Sequence, residues 1–194
     1  MENVRPYLLP FCGNINFWKQ ILKQEEVVFS FSRKLDKKSY TNRTLIATAN
    51  GIQTLSIPLE GGRGSRIPYC DILMSNQENW RAKHLMALQS AYSKSPFYEF
   101  YIDKIAKVYA SNHPLLQEFN LELFNTISKI LKVEIVIKTE ESASIPISFE
   151  PNIYESMPSY PQVFRNKYAF QPDLSILDLI FNLGNKSLNY LRED

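Results

Sequence analysis

Hydrophobic residues recur at helical spacing along much of the chain. Ile15, Trp18 and Ile21 share one face of a helix predicted over 14–23, with Asn14 as a capping residue. The same period predicts three successive helices over 77–92, 96–110 and 114–131. They are separated by prolines, because the residue before a proline avoids helical backbone angles. Two more helices are predicted over 173–183 and 186–191, with Gly184 as the stop signal between them.

Shorter stretches rich in β-branched and aromatic residues predict strands. They cover residues 25–32, 44–49, 53–58, 67–73 and 133–138. The dipeptide Asn50-Gly51 favours a hairpin between the second and third of these strands. We therefore predict a mixed α/β fold, in which a small and partly antiparallel sheet is covered by a helical layer.

The stretch 139–165 lacks either period and holds four of the chain's 11 prolines. Irregular segments of this length in a compact domain are usually functional or mobile loops. We predict an irregular loop or lid at 139–165, within a single domain that spans residues 1–194.

Composition narrows the class of protein. The net charge is only +2 and the 22 Lys and Arg residues are spread along the chain, so we expect no nucleic-acid partner. No apolar run reaches the roughly 18 residues of a membrane span. The two cysteines form no Cys-x-x-Cys pair, so we expect no metal site and a cytoplasmic location. The oligomeric state stays open.

His84 is the first candidate for chemistry. On a helical wheel it lies on one stripe with Trp80, Leu88 and Ala91, which points its side chain towards the core. It is therefore either a buried histidine that bonds a backbone carbonyl, or a general base or acid that faces a pocket.

Three other segments contain candidate polar groups. Tyr92 and Ser95 flank a Ser-Pro corner, where Ser95 either caps a helix beginning at Pro96 or helps this helix to bind an anion. The glycine-rich loop 61–66 carries Arg63 and Arg66, and it is either a solvated hairpin end or a phosphate site. The cationic run at 37–44, which includes Arg43, is either a solvent-exposed surface or part of a functional site.

Several motifs together resemble one protein family. They are Lys38-Ser39-Tyr40-Thr41-Asn42-Arg43, Leu55-Ser56-Ile57-Pro58, Trp80 with His84, Ala91-Tyr92 with Ser95-Pro96-Phe97-Tyr98-Glu99-Phe100-Tyr101, Tyr160-Pro161-Gln162 and Leu174-Ser175-Ile176-Leu177-Asp178. Their order along the chain resembles that of WbqC-like proteins. This resemblance implies an association with bacterial surface-polysaccharide (O-antigen) gene clusters.

The resemblance also implies a shared polar site. Its members in this sequence are Asn42, Arg43, His84, Tyr92, Ser95 and Asp178. The chain departs from longer relatives at Pro6-Tyr7-Leu8-Leu9-Pro10, where they carry His-Gln-Pro, and at residues 33–36, where they carry paired aspartates. Metal or acid chemistry that depends on those groups is therefore not implied here.

The leading hypothesis is a transferase-type enzyme that acts on an activated sugar or acyl donor in surface-polysaccharide biosynthesis. Its expected partner is a phosphate-bearing small molecule, held by Arg43 with Arg63 or Arg66. We expect His84 to be the general base, supported by Asp178, and Asn42, Tyr92 and Ser95 to bind substrate. The Ser-Pro corner and Asn42-Arg43 would then form opposite walls of one pocket. The alternative is a non-catalytic binding or scaffold protein in the same pathway.

Overall fold

A computed structural model describes residues 5–34, 39–61, 67–140, 146–152 and 156–193, and it confirms the mixed α/β fold. The helices in these ranges are α1 (Ile15–Ile21), α2 (Trp80–Tyr92), α3 (Tyr98–Tyr109), α4 (Leu116–Leu131), α5 (Ile176–Leu183) and α6 (Ser187–Arg192). The strands are β1 (Glu26–Ser30), β2 (Arg43–Thr48), β3 (Gly51–Ser56) and β4 (Val136–Glu140). No helix in the described parts of the chain has the length and apolar composition needed to cross a membrane.

The hairpin predicted around Asn50-Gly51 is present as β2 and β3. The two strands are antiparallel, and Thr48 lies opposite Gly51, which leaves Ala49 and Asn50 as the turn. The turn is therefore one residue earlier than the dipeptide suggested. Gly51 has a φ of 101°, a backbone angle that favours glycine.

β1 and β4 form a separate parallel pair. Glu26 lies opposite Val136, so the pairing joins segments 110 positions apart in the chain. Tyr7 extends this sheet through isolated bridges to Phe29 and to Ile147. Four strands thus form two small sheets among the described residues.

The prediction of a strand over 67–73 is wrong. This segment contains a 3-10 turn over Tyr69–Asp71 instead. The Tyr69 side chain is fully buried, and its hydroxyl donates to the Leu9 carbonyl at 2.8 Å. Its ring also packs 5.4 Å from Phe31, so tertiary contacts of one large side chain outweigh the strand propensity of its neighbours.

The high aromatic content is concentrated in the core. Trp18 stacks on Phe124 with ring centroids 4.9 Å apart, and Phe29 meets Phe124 edge-on at 5.4 Å. The cluster of buried hydrophobic residues extends from Tyr7 to Leu191. The helices and both sheets thus share one core.

The described parts of the predicted irregular segment are mostly without regular structure. β4 continues to Glu140, and residues 146–152 and 156–165 contain no helix or strand apart from the bridge at Ile147. The rest of the predicted segment lies outside the described residues. Its role as a lid stays a prediction.

Candidate functional site

An open cleft of about 910 Å³ lies between β3 and the first half of α2. Its lining includes Asn42, Arg43, Thr54, Ser56, Lys83 and His84, and these residues define what we call the β3–α2 cleft. Three of the residues predicted from the sequence, Asn42, Arg43 and His84, therefore lie together. The β2–β3 hairpin supplies one wall and α2 supplies the other.

Asn42 and Arg43 are held at the start of the hairpin. The Asn42 side-chain amide donates to the Ile57 carbonyl at 2.9 Å, and the Ile57 N–H donates back to the Asn42 carbonyl at 2.7 Å. The Arg43 guanidinium lies over the Tyr40 ring, 4.5 Å from its centroid. Stacking of this kind orients the planar guanidinium.

Hydrogen bonds fix the proton on the His84 ring. Nε2 lies 3.1 Å from the Ser56 carbonyl oxygen, which can only accept, so Nε2 carries the hydrogen in the neutral ring. Nδ1 then accepts from the Tyr109 hydroxyl at 3.3 Å. Both ring nitrogens are therefore engaged, one by the β3 backbone and one by α3.

The surroundings of His84 favour its neutral form. The side chain is only 5% exposed and packs against the rings of Trp80 at 5.2 Å and Phe11 at 5.8 Å. Burial lowers the pKa of His84 from 6.5 to about 4, although the hydrogen bond to Ser56 opposes this shift. The predicted orientation of His84 towards the core is confirmed, and the imidazole is a weak base at neutral pH.

Lys83 adds a second cation that we did not predict as a site residue. Its ammonium group lies 2.6 Å from the Glu78 carboxylate, and the two side chains are 64% and 66% exposed. Such an exposed pair is weak and opens readily to an incoming anion. With His84 neutral, Arg43, Lys83 and Glu78 give the cleft lining one excess positive charge. The sequence contained one indication of this role: Lys83 directly precedes His84 and therefore lies next to the buried face of α2.

Asp178 lies in a separate, fully buried cluster. Its Oδ2 accepts from the Tyr160 hydroxyl at 2.6 Å and from the Gln162 amide at 3.1 Å. Burial raises the pKa of Asp178, and interactions with Tyr160, Tyr92 and Gln162 oppose the shift. The cluster ties α5 to the segment that follows residue 156.

Tyr92 belongs to the Asp178 cluster and not to the cleft. It is fully buried, and its hydroxyl accepts from the Ala47 N–H at 3.1 Å. Burial and the nearby Asp178 carboxylate raise the pKa of Tyr92 well above its usual value. Tyr92 thus connects the end of α2 to β2 and α5.

Ser95 does not cap a helix, contrary to one of the two interpretations from the sequence. α3 begins at Tyr98 with Phe97 as its N-cap residue, and the Ser95 hydroxyl is buried without a hydrogen-bond partner among the described residues. The helix begins at Tyr98 and not at Pro96 because the Phe97 N–H donates to the Phe181 carbonyl, which fixes this corner against α5.

The structure therefore divides the predicted site. The wall opposite Asn42-Arg43 is the first half of α2, not the Ser-Pro corner. Asp178 does not support His84, because the ring nitrogens of His84 bond to Ser56 and Tyr109. Arg63 and Arg66 lie outside the described residues, so their part in anion binding stays a prediction. The roles in substrate binding and catalysis also stay predictions.

Metal ligands are a separate question. No group of three or more His, Cys, Asp or Glu side chains in the described ranges is arranged to hold a metal ion. Cys12 is buried, and this burial raises the pKa of its thiol far above the usual range.

Comparison with known proteins supports a family assignment. The chain is 24% identical to the uncharacterized protein Rv1507c of Mycobacterium tuberculosis over 207 residues, which cover 87% of this chain and 88% of that protein. No solved structure matches it. The sequence profile of the WbqC-like protein family matches residues 5–152 and 141–190. This match covers nearly the whole chain, and the chain belongs to the WbqC-like protein family.

Proposed function

We propose that the β3–α2 cleft binds the phosphate group of an activated sugar or acyl donor. The protein would then be a cytoplasmic enzyme of transferase type in bacterial surface-polysaccharide (O-antigen) biosynthesis. The observation that carries this proposal is the convergence of Asn42, Arg43 and Lys83 on one open cleft.

The size and charge of the cleft support this ligand class. Its volume of about 910 Å³ falls within the range of small-molecule sites. The Arg43 guanidinium can pair with two phosphate oxygens at once, and Lys83 can add a point charge. A phosphate-bearing donor suits this combination better than a neutral sugar does.

A general-base role for His84 has a specific structural requirement. The substrate would have to take the place of the Tyr109 hydroxyl at Nδ1, because Nε2 is committed to the Ser56 carbonyl. Tyr109 is buried and lies outside the cleft lining, so a substrate would have to displace its hydroxyl from Nδ1, where the contact is 3.3 Å.

The second candidate is a non-catalytic binding or scaffold protein in the same pathway. The two hydrogen bonds of His84 and its lowered pKa favour this candidate, because they suit a residue that positions β3. Incubating the protein with a bound donor and candidate glycan acceptors separates the two. An enzyme forms product and loses turnover in a folded His84→Gln variant, whereas a scaffold protein binds without turnover.

Thermal unfolding with nucleotide sugars and coenzyme A thioesters tests the proposed binding. A ligand at 100 times its dissociation constant stabilises the folded state by about 2.7 kcal/mol, which corresponds to a rise in Tm of roughly 5–10 °C. Arg43→Gln should weaken binding about 10- to 100-fold, because a hydrogen bond to a charged group is worth about 1.5–3 kcal/mol.

Arg192→Gln is the matched control, since Arg192 is exposed on α6 outside the cleft lining. It should leave ligand affinity unchanged. The proposal fails if no phosphate-bearing ligand shifts the Tm, or if both arginine variants lose affinity equally.

A further inference from the structure

The edge of β3 that faces away from β2 carries backbone groups of known direction. In an antiparallel pair, alternate residues direct both the N–H and the C=O to the partner strand. The Ile57 N–H donates to Asn42, so Ile57 faces the β2 side, as does Leu55. The intervening residues Ser56 and Thr54 therefore direct their backbone groups to the opposite side.

His84 provides independent evidence for this direction. Its Nε2 bonds the Ser56 carbonyl, and α2, which carries His84, lies on the side of β3 opposite to β2. Thr54 and Ser56 are exposed and line the same cleft. The outward N–H and C=O of Thr54 have no hydrogen-bond partner among the described residues. This part of the cleft wall is thus an unpaired strand edge.

We infer that this edge binds the amide groups of a pantetheine-type thioester, the arm of an acyl-coenzyme A donor. The inference rests on the proposed function and selects the acyl class of donor. In coenzyme A this arm is a linear chain with two amides that is joined to the diphosphate of the nucleotide. Its amides can pair with the Thr54 backbone as a neighbouring strand would, while its phosphates lie at Arg43 and Lys83.

The register of the hairpin orients this ligand. Arg43 lies opposite Ser56, so the cations are at the Ser56 end of the edge. The arm then runs from Ser56 towards Gly51, and the thioester lies near the hairpin turn. His84 in this arrangement is a positioning residue, which holds Ser56 through its carbonyl.

The short length of the free edge argues for pantetheine over other ligands. His84 occupies the Ser56 carbonyl, so the edge between Ile52 and Ser56 offers full backbone pairing only at Ile52 and Thr54. Strands average about five to six residues, and a peptide strand would need a longer edge. A nucleotide sugar carries phosphates but no chain of amides to match the edge.

A proline substitution tests the inference on the full-length protein. Thr54→Pro removes the outward N–H but no hydrogen bond to β2, and Thr54→Ala keeps the N–H and removes only the side chain. Calorimetry should show acetyl-coenzyme A binding weakened about 2- to 10-fold by Thr54→Pro, because one neutral hydrogen bond is lost, and little changed by Thr54→Ala. Adenosine 3′,5′-bisphosphate, which lacks the arm, should bind equally to both variants and show that both are folded.

Other outcomes separate this inference from the proposed function. Unchanged binding of acetyl-coenzyme A to Thr54→Pro overturns the inference, as does binding of a uridine diphosphate sugar without binding of acetyl-coenzyme A. The latter leaves the proposed function standing. Failure of every phosphate-bearing ligand removes both.

A second measurement does not depend on how the proline variant folds. Pantetheine without its nucleotide is titrated into the wild-type protein, and backbone amide signals are followed by NMR. The Thr54 and Ser56 amides should shift more than those of Leu55 and Gln53. Shifts that spare Thr54 contradict the inference.

Discussion

His84 shows how one residue links packing to pH. The folded protein keeps this ring neutral down to about pH 4, whereas the unfolded chain binds a proton below about 6.5. The unfolded state thus takes up the proton first, and the free energy of unfolding falls as pH drops from 6.5 to 4. The contribution of His84 over this window is about 3 kcal/mol.

His84→Gln removes this contribution, because an amide does not titrate. Urea unfolding of both proteins at several pH values should show the wild type losing about 3 kcal/mol more than the variant between pH 6.5 and 4. Other titrating groups are common to both proteins and cancel in the difference. Equal pH slopes would show that the folded ring is accessible to protons.

Asp178 is expected to act on stability and not on ligand affinity. Asp178→Ala leaves the Tyr160 hydroxyl and the Gln162 amide without their buried acceptor, and we expect a loss of about 2–4 kcal/mol in the free energy of unfolding. Asp103→Ala, at an exposed position of α3, is the control and should change stability by less than about 0.5 kcal/mol.

Ligand titration of the folded Asp178→Ala protein completes this test. Its affinity for a phosphate-bearing donor should match that of the wild type, since Asp178 does not line the β3–α2 cleft. A variant with normal stability and abolished binding would show that Asp178 takes part in ligand binding.

At the scale of elements, the α5–α6 corner depends on the close approach of Gly184 to α3. A Cβ at Gly184 would lie 2.5 Å from a Phe97 ring carbon, and its φ of 57° is already in the left-handed region. Gly61 has a φ of 73°, but no atom of the described residues lies within 4 Å of the added carbon. Gly184 therefore adds a steric overlap, and also a ψ of −123°, to the positive φ that the two positions share.

Thermal or urea unfolding of Gly184→Ala and Gly61→Ala measures the difference in the free energy of unfolding between the two variants. Gly61→Ala should cost about 1–2 kcal/mol, the penalty of a left-handed L-residue. Gly184→Ala should cost about 1–3 kcal/mol more, because Phe97 must move within a packed corner and the backbone angles of Gly184 lie outside the left-handed helical region. Equal losses at both positions would mean that Phe97 has room to shift.

Local patterns identified most of the elements. Helical spacing located the six helices of the described ranges to within a few residues, and the Asn50-Gly51 signal located the hairpin. The strand at 67–73 was mispredicted because its conformation depends on where the Tyr69 side chain is buried. The pairing of β1 with β4 was not predicted, since periodicity contains no information about a partner 110 residues away.

At the scale of the whole molecule, distant segments meet through a few buried polar groups. The Asp173 carboxylate accepts from the Asn14 amide at 2.7 Å, from the Asn16 N–H at 2.8 Å and from the Asn152 N–H at 2.7 Å. Asp173 is fully buried and connects the start of α1 with two later parts of the chain. These contacts and the shared core join the described segments to one another, whereas one domain over 1–194 stays a prediction.

The candidate site was predictable only in part, because its residues come from segments that lie far apart in the sequence. Asn42, Arg43 and His84 were identified by residue type and by the family resemblance, and they lie together. Their separation from Asp178 was not predictable, because it depends on which helix faces each residue. Lys83 and the edge of β3 were missed, since their importance comes from the cleft between α2 and the hairpin.

Binding of a phosphate-bearing donor in the β3–α2 cleft can be measured by an NMR titration of the amide-labelled protein with acetyl-coenzyme A and with a uridine diphosphate sugar. The largest shifts for at least one ligand should occur at Arg43, Ser56 and Lys83, while Tyr92 and Asp178 change little. Shifts centred on Tyr92 and Asp178, or no shifts with either ligand, would contradict binding in this cleft.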